Sequence, residues 1–353
     1  MKLSDFDFTL PRELVAVYPP LERPSARLVL VDRSSGKFSH HVFHELPDFL
    51  QAGDVLVLND TKVFPARLYG KRETGGKVEA LLLKENPDGT WEALVRPGGK
   101  IKKEAVIDFG ENGLCIQARV LDDGRLDSGE RTLEFQGGEV REKLKKIGHM
   151  PLPPYLGRPA AEIDREVYQT VFAEKEGAVA SPTAGLHFDA ALLKKLEAKG
   201  IEIVYVTLHV GYGTFQSVMD EDFTRHQMVP EEYEVSEQAA ASINRALTEN
   251  RRVIACGTTA TRTLEAAYSG PSGIRACRGG KTNLFIYPPY PFKVVSGLIT
   301  NFHIPKSSLL LLVAAFLAGN EPEQGRDRLM RIYNEAIAQG YHFYSYGDAM
   351  VIL

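Results

Sequence analysis

The sequence predicts an α/β body joined to a smaller antiparallel β-domain, and three observations carry the prediction. Short apolar runs fill the stretch from Asp54 to residue 150: "DVLVLND", "KVEALLL", "WEALV", "AVIDF", "LCIQARVL" and "RTLEF". Turn signals such as "NPDG", "PGG", "GENG" and "DDG" separate them, which is the pattern of a small barrel or sandwich. From Pro151 onward, helical periods alternate with continuously apolar runs, the signature of an α/β layer architecture. Between the two textures, the clustered prolines of "GHMPLPPY" (148–155) suit a domain crossing. On this pattern the β-domain is either inserted into the body or placed before it.

The elements of the body come in order. "DAALLKKLEAKG" (189–200) has helical periodicity, an Asp cap and a terminal Gly. It feeds "IEIVYVTLHV" (201–210), so continuously apolar that a strand buried on both faces is expected. "SEQAAASINRALTENRR" (236–252) is a second capped helix, before the strand "VIAC" (253–256), and "TRTLEAAYSG" (261–270) is a third. "LFIYPPY" and "KVVSGLIT" read as strands. The apolar run Leu309–Ala318 then makes a helix with no polar face, which belongs in an interior. Ser307 or Ser308 can cap it, Pro305 precedes it and Gly319-Asn320 stops it. Two readings fit its polar front end, Asn301, His303 and Lys306. One is a site for a carboxylate or phosphate at the helix N-terminus; the other is a capped core helix behind a polar loop.

Composition narrows the function classes. The chain has 353 residues, 44% hydrophobic and 25% charged, ordinary for a globular protein. No run approaches the ~20 apolar residues of a membrane span. "MKLSDFDFTL" carries acidic residues where a signal peptide has a basic flank, and Cys115, Cys256 and Cys277 show no paired spacing. A cytoplasmic protein is expected. A net charge of −4 does not advertise nucleic-acid binding, though "REKLKKIGH" (141–149) and "KIKK" (100–103) are candidate basic faces or plain solvated surface.

Ligands of open α/β sheets bind beyond the carboxyl ends of the strands, so the segments after each strand matter most. "GAVA" is followed by "SPTAGLHF" (181–188), "VYVTLHV" by "GYGTF" (211–215), "VIAC" by "GTTATR" (257–262) and "GLIT" by "NFHIPK" (301–306). Each combines Gly or Pro with hydroxyls, His or Arg. They form one pocket wall provided that these strands share one sheet; singly, each is an ordinary turn. Standard motifs fail. "GGKT" (279–282) lacks the first Gly of a P-loop and precedes a strand, and there is no GxGxxG opening a helix, no GxSxG and no HExxH. His40 and His44 lie four apart, but no further ligands sit nearby in sequence, so no metal is expected.

Taken in order, "GDVLVLNDTKVFPARLYG", "GHMPLPPY", "SPTAGLHF", "VTLHVGYGTF", "GTTATRTLE", "LFIYPPYPFKVVSGLITNFHIPKSSLLLLVAAF" and "YSYGDAM" resemble the S-adenosylmethionine:tRNA ribosyltransferase-isomerase family of queuosine biosynthesis. The likeness covers nearly the whole chain. One departure stands out: the family usually reads His-x-Met-His-x-Glu, and here "RHQMVPEEYEV" puts Val229 at the second His, leaving His226, Met228 and Glu231. The resemblance implies an α/β body (1–62 and 151–353) carrying an inserted β-barrel domain (63–150), with no metal. It implies transfer of the ribosyl part of S-adenosylmethionine to the aminomethyl nitrogen of a deazaguanine at the tRNA wobble position. Adenine and methionine leave, and the rearranged sugar gives epoxyqueuosine. The expected partner is the tRNA anticodon arm, with no membrane and no obligate protein partner, the enzyme being a monomer.

Site expectations come from the resemblance and from position after a strand. A sulfonium acidifies neighbouring C–H bonds, so a base tuned near neutral pH suffices; His209 or His187 is the candidate, with His303 protonating the departing adenine. Each has the alternative of a satisfied structural histidine. Ser181, Thr183, Gly185, Gly211, Gly213, Thr214, Gly257, Thr258, Thr259 and Asn301 are candidates for holding S-adenosylmethionine, with Arg262 or Lys306 against its carboxylate. Asp60 accepts from the deazaguanine edge or the attacking amine, or else only caps a turn. Lys62 and Arg67 are candidates for phosphate, and Tyr346 and Asp348 for a base, or for an aromatic hairpin in the core. The rivals are an S-adenosylmethionine-dependent RNA methyltransferase, against which the missing Gly-rich first turn counts, and a non-catalytic RNA-binding module built on the β-domain.

Overall fold

The computed structural model describes residues 1–111, 113–124, 129–215, 218–319 and 321–353, with side chains for all of these but 111, 214 and 215. By packing the chain forms two compact units. The larger holds Met1–Thr61, Thr170–Lys175 and Pro182–Leu353; the smaller holds Lys62–Gln169 and Glu176–Ser181.

The larger unit is built on a nine-stranded sheet. Its strands run, edge to edge, Cys277–Thr282, Glu231–Val235, Glu202–Leu208, Val55–Asn59, Val253–Cys256, Gly297–Asn301, Ala349–Ile352, Arg27–Val31 and Phe38–Val42. Glu202–Leu208, Val55–Asn59, Val253–Cys256 and Gly297–Asn301 are mutually parallel, and the flanking pairs are mixed. Val55–Asn59 and Val253–Cys256 are buried at every residue, as strands covered on both faces must be. Because side chains alternate, Leu56, Leu58, Ile254, Cys256 and Ile299 share one face, packed with Phe43, Leu46, Phe188, Leu192 and Leu196. The helix Ala190–Ala198 follows Asp189, whose carboxylate accepts from Leu192 N–H at 2.7 Å; Ser236 caps Glu237–Thr248 the same way. The apolar run forms the helix Ser308–Ala318, packed on Pro322–Ala338, and among the described residues no helix is long and apolar enough to cross a membrane.

Three sequence expectations need correction. The strand read at "GAVA" is Lys175–Ala178 and lies outside the nine-stranded sheet. No strand forms at "LFIYPPY", whose consecutive prolines cannot donate to a ladder. "KVVSGLIT" enters the sheet only at Gly297. The N–H groups of Lys293, Val294 and Val295 are taken instead by the buried Glu265 carboxylate, at 2.9, 3.0 and 3.0 Å. Conversely, "CRGGKT" is an edge strand, where sequence reading placed only a failed P-loop.

The smaller unit is a closed six-stranded antiparallel barrel, in the order Glu130–Phe135, Trp91–Arg96, Lys77–Glu85, Arg67–Arg72, Val106–Glu111, Leu114–Val120. Alternation fills it: Leu68, Ala80, Leu82, Ala93, Val95, Ile107, Phe109, Ala118, Val120 and Leu133 point inward and are buried. The sequence expectation of an α/β body with a β-barrel stands. The proline-rich 151–155 stretch lies within this unit, which continues to Gln169. There the fully buried Asp164 takes a bidentate grip from Arg158, 2.7 Å for each contact, and accepts from Ala161 N–H at 2.7 Å. Removing one member of a buried pair strands the other charge. Asp164→Asn should therefore cost about 3–5 kcal/mol, read as a lower urea midpoint; an unchanged midpoint would take this pair out of the stability account.

Candidate active site

The four parallel strands end side by side, and the segments leaving them converge. Asn59 closes one strand with a side chain only 1% exposed. Its amide Nδ2 donates to Leu208 O at 3.0 Å and to Thr259 Oγ1 at 3.1 Å. Its Oδ1 accepts from Leu208 N–H at 3.0 Å and Thr61 N–H at 3.2 Å. The strand Val253–Cys256 passes directly into the helix Gly257–Ala267, Gly257 taking a φ of 88° that a side chain would strain. Thr258 and Thr259 lie in its first turn, where an α-helix leaves its backbone N–H groups without intrahelical partners, and no side chain caps it.

The three candidate histidines occupy different environments. His209 is half-buried; its Nδ1 shares a hydrogen bond with Thr61 Oγ1 at 2.8 Å and its backbone N–H donates to Glu232 O. Burial lowers its pKa, with Glu234, Glu232 and Asp60 pulling back upward. Asp60 is buried and accepts from Thr207 Oγ1 at 2.6 Å; burial raises its pKa against that hydrogen bond. His187 is 3% exposed, lies against the Phe43 ring and is held down to about pKa 4 by burial. Its Nε2 meets Asn301 Nδ2 at 3.2 Å, and the same amide donates to Tyr344 O, which can only accept. That fixes the amide orientation and fills the His187 lone pair. His303 has Nε2 on Thr300 Oγ1 at 2.9 Å, and burial holds it down to about pKa 3.

A buried ion pair borders the same ends. Glu231 and Arg262 are 4% and 5% exposed and in direct contact through Glu231 Oε2 and Arg262 Nη1. Glu231 Oε1 accepts from Gly211 N–H at 2.9 Å, and Arg262 Nε donates to Leu284 O at 2.9 Å. Arg262 Nη2 is buried with no partner among the described residues. A buried guanidinium N–H without an acceptor is costly, and an anionic ligand supplies what it lacks.

The remaining expected residues are scattered. Thr183 and Gly185 lie in the turn Thr183–His187, with Thr183 Oγ1 3.4 Å from Asn301 Oδ1. Gly185 has a packing reason: a Cβ there would stand 2.8 Å from both the Phe172 ring and Thr170 Cγ2. Gly213 is pressed against Val229, the residue that replaces the family's second His; the side chain of Thr214 lies outside the described residues. Lys306 is exposed and paired with Asp7 at 2.7 Å, while Ser307 caps the core helix. Ser181, Lys62 and Arg67 belong to the smaller unit; Ser181 Oγ is buried without a partner among the described residues, and Arg67 reaches Glu79 at 3.6 Å. Tyr346 and Asp348 are buried in the larger unit, the Asp348 carboxylate accepting from Arg27 and from His342 N–H. No group of three or more metal-ligating side chains occurs among the described residues. Sequence reading missed Asn59 and Thr61, whose only signal was polarity at the end of a fully apolar strand.

A family model described as queuosine biosynthesis protein matches residues 3–352. Relatives from Desulfitobacterium hafniense and Symbiobacterium thermophilum are each 48% identical over 355 residues, with both chains covered in full. A third, from Desulforamulus reducens, is 46% identical over the same span, and all three are named S-adenosylmethionine:tRNA ribosyltransferase-isomerase. The crystal structure of an S-adenosylmethionine tRNA ribosyltransferase from Thermotoga maritima is similar at a TM-score of 0.55 and 35% identity, covering 99% of this chain and 100% of that one. The likeness thus runs the length of the chain, and this chain belongs to the queuosine biosynthesis protein family.

Proposed function

We propose that this chain is an S-adenosylmethionine:tRNA ribosyltransferase-isomerase, acting on an aminomethyl-deazaguanine at the wobble position of tRNA. The observation that carries the reading is the strand-end cluster itself. It sets a half-buried imidazole beside a buried carboxyl, within the unit that also holds a buried guanidinium with a free N–H, in a chain whose relatives bear that name. In the net reaction the glycosidic bond, the C–S bond and one ring C–O bond of the cofactor break, while a carbon–nitrogen bond to the amine, the carbon–carbon bond that closes the cyclopentane and the second C–O bond of the epoxide form. Adenine, methionine and one proton are released, and no oxidant or reductant is required.

His209 is the base for the proton beside the sulfonium. Thr61 orients its ring through Nδ1, and the lowered pKa keeps it unprotonated at neutral pH. His187 is too buried to meet substrate and its Nε2 is taken by Asn301, so its role is to hold that amide. At a pKa of about 3, His303 is not an imidazolium at neutral pH. It assists adenine by donating a hydrogen bond from a neutral ring, a use of histidine that a depressed pKa favours. Arg262 Nη2 receives the methionyl carboxylate, with Glu231 and Leu284 O fixing the guanidinium. The Gly257 helix start and the Thr183–His187 turn supply backbone N–H groups and hydroxyls to the nucleoside.

The direct test incubates the protein with S-adenosylmethionine and tRNA carrying the aminomethyl-deazaguanine, then analyses small molecules and digested nucleosides by mass spectrometry. Adenine and methionine together with an epoxycyclopentyl nucleoside are expected. A methylated nucleoside would replace this reading with a methyltransferase, and intact cofactor under binding conditions would leave an RNA-binding protein.

Two finer outcomes are expected. His209→Gln should lower turnover by about 10²–10⁴-fold, the usual share of a positioned base. Since the neutral ring is the active form, wild-type kcat/KM should fall only as pH drops through a value below the ordinary 6.5 of histidine. An acid limb centred above 6.5 would exclude His209 as that base. Arg262→Lys keeps the charge but loses the fork. Losing a hydrogen bond to a charged group, about 1.5–3 kcal/mol, should raise KM for S-adenosylmethionine by about 10- to 100-fold. An unaltered KM would place the carboxylate elsewhere.

A further inference from the structure

We infer that a cavity in the larger unit, between the segment Glu13–Pro20 and the turn His342–Asp348, receives one unstacked nucleobase with a guanine-type edge. The inference rests on the proposed activity for its RNA, and on the cavity for its chemistry. Its volume is about 500 Å³, and Glu13, Val17, Tyr18, Arg27, Tyr346 and Asp348 are among its lining. That is ample for a nucleoside and falls within the usual range of ligand sites.

Strand register puts the cavity on the functional edge of the sheet. Asn301 lies opposite Ala349, and Leu28 is paired with Ala349 on its other side. Asp348 and Arg27, one residue before each, therefore stand at the same edge as Asn301, and Asn301 Nδ2 bonds Tyr344 O across the step. A base held here lies on the edge of the sheet where His209 and the Gly257 helix start also lie.

The polar lining selects for hydrogen-bond donors. Arg27 is held within the fold: it donates to Gln339 O at 3.0 Å, to Gly340 O and to Asp348 Oδ2 at 3.0 Å, and it lies 4.1 Å over the Tyr341 ring. Its charge is offset by Asp348, which makes the cavity less suited to a carboxylate or phosphate than to a ligand that brings donors. Acceptors do remain. Glu13 is exposed and makes no ion pair among the described residues. Asp348 Oδ1 accepts a single bond among the described residues, from Arg27 N–H at 2.8 Å. A guanine edge offers adjacent N–H donors, and an aminomethyl substituent adds an ammonium; carboxylates suit both. Tyr18, 66% exposed, with Pro19 and Pro20 gives flat apolar surface on which a flipped base can stack.

The test uses the intact chain with Glu13→Gln, which removes the charge, and Val17→Trp, which fills the cavity. S-adenosylmethionine affinity, measured by calorimetry, should stay within about twofold of wild type, while kcat/KM for the modified tRNA falls at least about tenfold, the loss of one charged hydrogen bond. Wild-type use of tRNA by both variants overturns the inference, and so does loss of cofactor binding in both, which would make the cavity the cofactor's own. A second measurement needs no turnover: saturation-transfer NMR with free aminomethyl-deazaguanine, guanine and adenine. Signals from the two guanine-type bases that vanish in Val17→Trp support the pocket even if the proposed reaction fails; adenine bound equally, or no base bound, overturns it.

Discussion

The carboxamide of Asn59 is the constraint on which the rest of the site depends. Four hydrogen bonds from one buried side chain join the end of its own strand to Leu208 on the neighbour and to Thr259 in the next helix. A parallel ladder stops where strands diverge into loops, and there backbone groups lose their partners. Asn59 supplies two N–H donors and a carbonyl acceptor; a carboxylate has no donor, and a hydroxyl has only one. With Leu208 fixed on both its N–H and C=O, His209 leaves the strand in one direction, and Thr61 sits where its hydroxyl meets the ring. The position of the imidazole is thus set by the backbone that carries it and by the Thr61 hydroxyl.

The same economy of buried polar groups explains the electrostatics. Asp60 and His209 are displaced in opposite senses by one cause, burial, which disfavours the charged form of each. A carboxyl pushed up and an imidazole pushed down are both biased toward the neutral form, so the site holds less charge than the same two groups would in water. The Glu231–Arg262 pair solves a different problem. Two buried charges offset one another's desolvation only when their remaining donors and acceptors are filled. Gly211 N–H and Leu284 O take part in that filling, and Arg262 Nη2 is left over. A fully satisfied pair would be structural; here the two N–H groups of Nη2 have no acceptor among the described residues, and the proposed carboxylate contact rests on that.

Much of this was legible in the sequence, for reasons that particular residues make plain. The helix of Leu309–Ala318 could be read because a run without polar residues has one physical outcome in a globular chain. Asp189 and Ser236 could be read because capping is local. Strand ends on a common edge were expected from alternating texture; three of the four loops follow strands of one sheet, and the fourth joins them through His187 and Thr183 on Asn301. The long-range contacts escaped. Glu265 lies nearly thirty residues from the three N–H groups that it draws out of the sheet, and no periodicity announces such a bond. Lys306 looked like the cation of an anion site, yet Asp7, nearly three hundred residues away, takes it. The polar front of the core helix is accordingly divided: Asn301 and His303 turn inward, while Ser307 caps and Lys306 faces out.

An acidic protein that acts on RNA must find its affinity somewhere other than bulk charge. A net charge of −4 supplies no long-range attraction to RNA, and the sequence carries no long run of cations comparable to a basic arm, so any counterion release has to come from local contacts. Two alternatives remain in physical terms: local phosphate contacts, or capture of an extruded base by stacking and edge recognition. The larger unit is equipped for the second. The cavity between Glu13–Pro20 and His342–Asp348 presents carboxylates and flat apolar surface, and its arginine is held within the fold. Capture of this kind couples recognition to chemistry, because a base that must leave the loop to be held is by that act brought to the reacting edge of the sheet. Specificity then comes from the donors on the base and its aminomethyl group, which phosphate contacts cannot read.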